Sequence, residues 1–184
     1  METSGVFGLI HRVDDIKKRI ADERLRLYRM AYFWCYDAVL ADDLAQETIA
    51  RALQKIHQLR DQERLESWLY TILHNCWRTH LRQLRPDRPL DEEVIVCEDC
   101  PERINRRQQI IDSVRAAIAR LPLGQKEVIT LVDLNGFTYA EVAEVMEIPI
   151  GTVMSRLNRG RKALQSALRD LGQASQRPPL RRVK

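Results

Sequence analysis

Residues 137–162 read FTYAEVAEVMEIPIGTVMSRLNRGRK, and the punctuation of this stretch decides the fold. Thr138 followed three residues later by Glu141 is a capping box, and Phe137 and Val142 flank it at the spacing of a hydrophobic staple. A helix therefore starts at Thr138 and ends near Met146. Glu147-Ile-Pro-Ile-Gly151 is a turn, and Thr152 opens a second helix reaching about Leu171. Ala143 is small where the two helices cross, while Val142, Ile148, Val153 and Leu157 fill the space between them. A short capped helix, a turn and a basic second helix make a helix-turn-helix unit, whose second helix enters the major groove of DNA. Thr152, Val153, Ser155 and Arg156 then reach base edges, and Arg159, Arg161 and Lys162 hold phosphates. A structural hairpin with a solvated basic face is the plainer alternative.

Upstream of this unit, Ile110, Val114, Ala117, Ile118 and Leu121 form one apolar stripe, ended by Pro122 and Gly124. Val128, Ile129, Leu131, Val132 and Leu134 form the next, stopped by Asn135-Gly136. The first half of the chain repeats the pattern. Leu25, Tyr28, Tyr32 and Cys35 make a stripe at helical spacing. A second helix buries Ala45, Ile49, Ala52, Leu53 and Ile56 and turns Asp43, Gln46, Glu47, Ala50 and Gln54 outward. A third, from about Leu65, carries Trp68, Leu69, Ile72 and Cys76 on one face and a second apolar sector of Tyr70, Leu73, Trp77 and Leu81. Pro86 and Pro89 end it, because proline cannot continue a helix. The expected organisation is all-α: an N-terminal extension (1–21), a helical domain (22–86), a flexible acidic linker (87–103), a helix-turn-helix domain (104–172) and a disordered basic tail (173–184).

Composition narrows the class. Of 184 residues, 45% are apolar and 30% charged, which is a globular rather than a disordered balance. No apolar run approaches the ~18–20 residues of a membrane helix, and no secretory signal opens the chain, so a cytoplasmic protein without membrane insertion is expected. The formal net charge is only +4; its distribution says more. Residues 87–102 hold seven acids against one base, with Arg78, Arg82 and Arg85 upstream and Arg156, Arg159, Arg161 and Lys162 downstream. Two basic surfaces joined by an acidic connector suit a polyanion bound at two places.

RLPLGQKEVITLVDLNGFTYAEVAEVMEIPIGTVMSRLNRGRKAL (120–164) resembles region 4 of bacterial sigma factors of the extracytoplasmic-function (ECF) group. DDLAQETIARAL (42–53) resembles region 2.2 of that group, and LESWLYTILHNCWRTHLRQLR (65–85) its regions 2.3 and 2.4. The resemblance implies a transcription initiation factor with three surfaces. Asp43, Gln46, Glu47, Ala50, Arg51 and Gln54 would bind core RNA polymerase. His74, Asn75, Trp77, Arg78, Arg82 and Arg85 would capture the melted −10 element of promoter DNA, where stacking or an apolar pocket must offset lost base stacking of ~1–3 kcal/mol per base. Thr152, Val153, Ser155, Arg156, Arg159, Arg161 and Lys162 would read the −35 element. An anti-sigma factor is an implied partner, and the acidic connector resembles the segment that threads the polymerase cleft. Four positions depart from the family pattern: His74 for an arginine, Thr79 for an aspartate, Glu147 for a turn glycine and Met154 for a lysine.

No cofactor, metal or small-molecule substrate is expected, and no enzyme: there is no nucleophile–base pair, phosphate loop or acid dyad at a useful spacing. Cys97-Glu-Asp-Cys100 admits coincidence, redox sensing or half a metal site. Two readings compete with the sigma factor: a helix-turn-helix regulator that never binds polymerase, and a thiol- or metal-responsive regulator.

Overall fold

The chain's computed structural model describes residues 14–84 and 106–176, and every regular element among them is helical. Arg85, most of the tail, and the acidic segment with Cys97 and Cys100 lie outside the described residues. A first unit comprises α1 (14–22), α2 (Arg24–Cys35), α3 (Ala38–Gln54) and α4 (Leu65–Leu84), with short 3₁₀ turns at Ile56–Gln58 and Gln62–Arg64. A second comprises α5 (Arg106–Ala119), α6 (Leu123–Ile129), a π-helical turn (Thr130–Leu134), α7 (Tyr139–Met146) and α8 (Ile150–Gln176).

In the first unit α2 packs on α3, and α3 on α4. Only Tyr36 and Asp37 separate α2 from α3. Tyr36 takes a left-handed conformation (φ 54°) and closes α2, its N–H donating to the Tyr32 carbonyl at 2.8 Å. Asp37 then caps α3, accepting from the N–H groups of Val39 and Leu40 at 2.8 and 3.0 Å, the arrangement that satisfies donors a helix start leaves unpaired.

Two expectations change here. The core face of α2 is Leu27, Met30, Ala31 and Trp34, while Leu25 is 55% exposed. Tyr28, Tyr32 and Tyr36 instead form a half-buried ladder beside that face, with ring centroids 6.3 and 5.8 Å apart. The expected extension also contributes to the fold, since α1 buries Ile16 and Ile20 in the core.

The second unit follows the punctuation of its sequence. Pro122 precedes α6, and Gly136 (φ +78°) ends the π turn, with the Phe137 N–H donating to the Leu131 carbonyl at 3.1 Å. The capping box is complete: the Thr138 hydroxyl accepts from the Glu141 N–H at 3.3 Å, and the Glu141 carboxylate accepts from the Thr138 N–H at 2.8 Å. The Thr138 hydroxyl and backbone hold the Glu141 carboxyl below its ordinary pKa. α8 starts at Ile150, two residues earlier than expected, and continues to Gln176, so the first residues assigned to the tail are helical. Gly160 lies where α8 crosses α6; a Cβ there would overlap the Ile129 side chain.

The apolar interiors of both units belong to one continuous cluster. The units pack directly on each other, mainly α4 on α7 and α2 on α5 and α6.

Candidate nucleic-acid interface

On α8 the helical phase sorts the basic residues. Val153, Leu157 and Gly160 face the interior, Val153 fully buried and Leu157 2% exposed. Val153 therefore fills the joint between α7 and α8 and does not face solvent. Arg156 is half-buried, its guanidinium lying across the start of α6 above Gly124. Arg161 is engaged by Asp133, with Nε 3.1 Å and Nη2 2.5 Å from the two carboxylate oxygens. What faces outward is a pair of adjacent rows. One runs Thr152, Ser155, Arg159, Lys162; Ser155 is tied down by donating to the Thr152 carbonyl at 3.0 Å. The other runs Ile150, Met154, Asn158, and borders an open groove of about 450 Å³ shared with Tyr139, Arg161 and Lys162. Met154 is 52% exposed.

Met154 and Asn158 were not among the base-reading candidates, although the phase set by Val153, Leu157 and Leu164 places both on the outer side. A long apolar side chain and an amide beside a row of cations can do what a groove-reading helix needs. Methionine offers apolar contact to a thymine methyl, asparagine two hydrogen bonds to adenine, and the cations phosphate pairing.

On α3 the residues expected on the outer face, Asp43, Gln46, Glu47, Ala50 and Gln54, are all exposed. Val39 and Leu53, 73% and 40% exposed, extend the same surface at its two ends, so it carries apolar contact points that the polar stripe concealed. Arg51 is half-buried and pairs along its own helix with Glu47 at 2.6 Å. Gln46 donates to Asp42 at 2.6 Å, and Asp42 also pairs with Arg24 of α2. These are exposed pairs at the border of the surface, each of which contributes little by itself.

On α4 the candidates divide. Asn75 and Arg82 are exposed and Arg78 is half-buried. His74 and Trp77 are 4% and 2% exposed, so neither faces solvent in this arrangement. The reason is that the second apolar sector of α4 is itself a packing face: Tyr70, Leu73, Trp77 and Leu81 are all buried. Trp77 stacks on the His80 ring at 6.1 Å. His74 lies against the second unit, its Nε2 3.7 Å from a carboxylate oxygen of the buried Glu127.

Cys35 and Cys76 are buried free thiols; burial pushes Cys35 up to about 11 and raises Cys76 as well. Both therefore lack thiolate character near neutrality. Among the described residues no group of three or more His, Cys, Asp or Glu side chains could hold a metal, and no helix is long and apolar enough to cross a membrane.

Comparison with known proteins adds an independent line. Residues 20–86 match the family "Sigma-70 region 2" and residues 111–164 match "Sigma-70, region 4". The chain is 32% identical to the RNA polymerase sigma-H factor of Pseudomonas aeruginosa, over 89% of this chain and 93% of that one. It is 30% identical to the ECF RNA polymerase sigma factor SigW of Bacillus subtilis, over 79% and 84% respectively. Among solved structures it resembles the sigma factor RpoE of Bartonella quintana, crystallised with the anti-sigma factor NepR, with TM-score 0.65 and 26% identity over 84% of this chain and 97% of that one.

Proposed function

This chain belongs to the extracytoplasmic-function group of the sigma-70 family of transcription initiation factors, and from that we propose that it joins core RNA polymerase through α3, reads a −35 element with α8 and captures melted −10 bases with α4. The observation that carries this reading is the pair of outward faces. The first unit presents the exposed surface of α3, and the second presents the two rows of α8. Each unit matches a different sigma region.

The division of labour follows from chemistry. Lys162 and Arg159 supply charge for phosphates, which sets affinity but carries no sequence information. Thr152, Ser155, Met154 and Asn158 supply the readout. Asn75, Arg78 and Arg82 form the accessible part of the α4 surface, and Arg85 follows them in sequence. His74 and Trp77 are buried in this arrangement, His74 against Glu127 of the second unit. Neither DNA contact needs to be tight alone, because both sit on one polymerase and act at high effective concentration. The site of action is then the compartment of the polymerase, the cytoplasm. An anti-sigma factor that covers these faces is the regulatory partner the reading supplies, by analogy with the complex described for the Bartonella protein.

The test is binding to core polymerase. Size-exclusion chromatography should show a saturable one-to-one complex. Ala50→Arg, which places a bulky charge at the centre of the α3 surface, should abolish co-elution while leaving the melting temperature of the free chain unchanged. Equal binding by wild type and Ala50→Arg would remove α3 from the interface, and no complex at all would remove the function.

A further inference from the structure

The outer face of α8 has two borders, and an arginine stands on each. Residues advance about 100° round a helix axis, so with Val153, Leu157 and Gly160 inward, Arg156 and Arg161 fall at opposite edges. Arg156 leans across the start of α6, over Gly124. Arg161 leans the other way, to the π turn, where its Nε and Nη2 donate to the two carboxylate oxygens of Asp133 at 3.1 and 2.5 Å. Tyr139, the first residue of α7, borders the same guanidinium and lines the groove that Met154 and Asn158 share. Arg161 thus stands beside the two side chains placed to read bases.

The packing beneath α8 fixes its distance from α6 better than its roll about its own axis. Gly160 allows an approach so close that a Cβ would overlap Ile129, but a glycine has no side chain to interlock. Val153 and Leu157 seat the helix through apolar contact, which is non-directional. A bidentate guanidinium–carboxylate pair is directional, because two parallel N–H···O bonds fix the plane of the fork. Its support is itself tied down. Asp133 lies in the π turn, where Asn135 donates to the Thr130 carbonyl at 2.8 Å and the Phe137 N–H to the Leu131 carbonyl at 3.1 Å. The Arg161 and Asp133 side chains are 50% and 33% exposed, so the pair contributes little to stability; its contribution is orientation. A carboxylate beside the guanidinium also repels a phosphate, which makes Arg161 poorly suited to the DNA backbone.

We propose that Arg161 is a positioning residue for −35 recognition: held by Asp133, it fixes the roll of α8 and with it the aim of Met154 and Asn158, and it makes no phosphate contact. The inference rests on the reading of α8 given above. A recognition constellation has to be held within about 0.5 Å, and a rolling helix carries its outer side chains sideways across the base edges. Asn158 lies one turn before Arg161 and moves with it.

Two measurements test this, one without DNA. In nitrogen–proton NMR spectra of the free full chain, the Arg161 Nε–H should be protected from exchange with water and lose that protection in Asp133→Asn. The Asn158 side-chain amide signals should move in both Asp133→Asn and Arg161→Lys, the latter keeping the charge and losing the fork. An unprotected Nε–H, or Asn158 signals unmoved in both variants, would overturn the brace. The second measurement uses holoenzyme and duplexes carrying the −35 element aligned from its start sites. Asp133→Asn and Arg161→Lys should cut discrimination between the cognate duplex and single-base variants about three- to tenfold. Melting temperature and the slope of log affinity against log salt should stay as in wild type. Arg161→Gln should behave alike; a slope lowered by about one would make Arg161 a phosphate contact and overturn the proposal. A steeper slope in Asp133→Asn with discrimination kept would show the carboxylate competing with DNA for the arginine, and overturns it too. Unchanged discrimination in every variant would reduce the pair to a surface ion pair. Wild-type holoenzyme that binds none of the duplexes counts against the functional reading, while the free-chain spectra still decide the brace.

Discussion

Glu147 shows what a single residue can be asked to tolerate. It ends α7 with φ 54° and ψ 44°, a left-handed conformation in which only glycine avoids a clash of Cβ with its own backbone. The sequence raised this possibility, since a glutamate stands where a turn glycine is common, and the backbone bears it out. Glu147→Gly should therefore stabilise the chain by about 1 kcal/mol, read as a higher urea midpoint at unchanged slope; a lower midpoint would show that Glu147 makes a compensating contact. At the same scale, the outer rows of α8 predict two kinds of mutant. Asn158→Ala should cost about 1–3 kcal/mol at one base position of the −35 element and relax specificity there. Lys162→Ala should weaken every sequence alike and lower the salt dependence of binding by about one counterion. Competition binding on a set of single-base −35 variants, at two salt concentrations, separates the two. Met154 belongs with Asn158: thymine-to-uracil substitution in the DNA should weaken wild type and leave Met154→Ala unaffected.

Among elements, α7 was the most legible and α2 the least, for identifiable reasons. The Thr138–Glu141 box is a local signal, complete within four residues, and it forms as read. Thr138→Ala should cost about 1 kcal/mol, visible in thermal melts of the chain. Its pH dependence has a definite sign. The Glu141 carboxyl titrates below its ordinary value, so its contribution is fully present above the unfolded carboxyl pKa and is lost as pH falls through the folded one. The stability gap between wild type and Thr138→Ala should therefore narrow on acidification and stay constant from pH 6 to 8. In α2 the tyrosines misled the phase, because a tyrosine counts as apolar yet keeps its hydroxyl near solvent; the true stripe, Leu27-Met30-Ala31-Trp34, has the ordinary i, i+3, i+4, i+7 spacing. α4 shows the converse. Of its expected DNA contacts, His74 and Trp77 lie on or beside a second apolar sector that is buried, with Tyr70 and His74 set against the second unit. The π turn left no mark in the sequence at all: Asn135 looked like a helix stop, and it is also the side chain that takes up the Thr130 carbonyl.

For the whole molecule, the all-α architecture and the two sigma regions could be read from the chain, while the relation between the units could not. Helical periodicity reports which face of an element is apolar, not which neighbour covers it. Glu127 and Asn135, which meet His74 and Tyr70 of the first unit, are scattered among residues that look like an ordinary solvated face. Packing buries both His74 and Trp77, so neither stands ready at the surface as a DNA contact. It leaves intact the exposed faces of α3 and α8 on which the initiation function is proposed. The most direct measurement is run-off transcription on sheared genomic DNA with purified core RNA polymerase, with and without this protein. New, discrete start sites should appear only with the protein, share upstream elements when aligned, and vanish with Ala50→Arg. Folded protein and active core that together yield no new transcripts would contradict the initiation function.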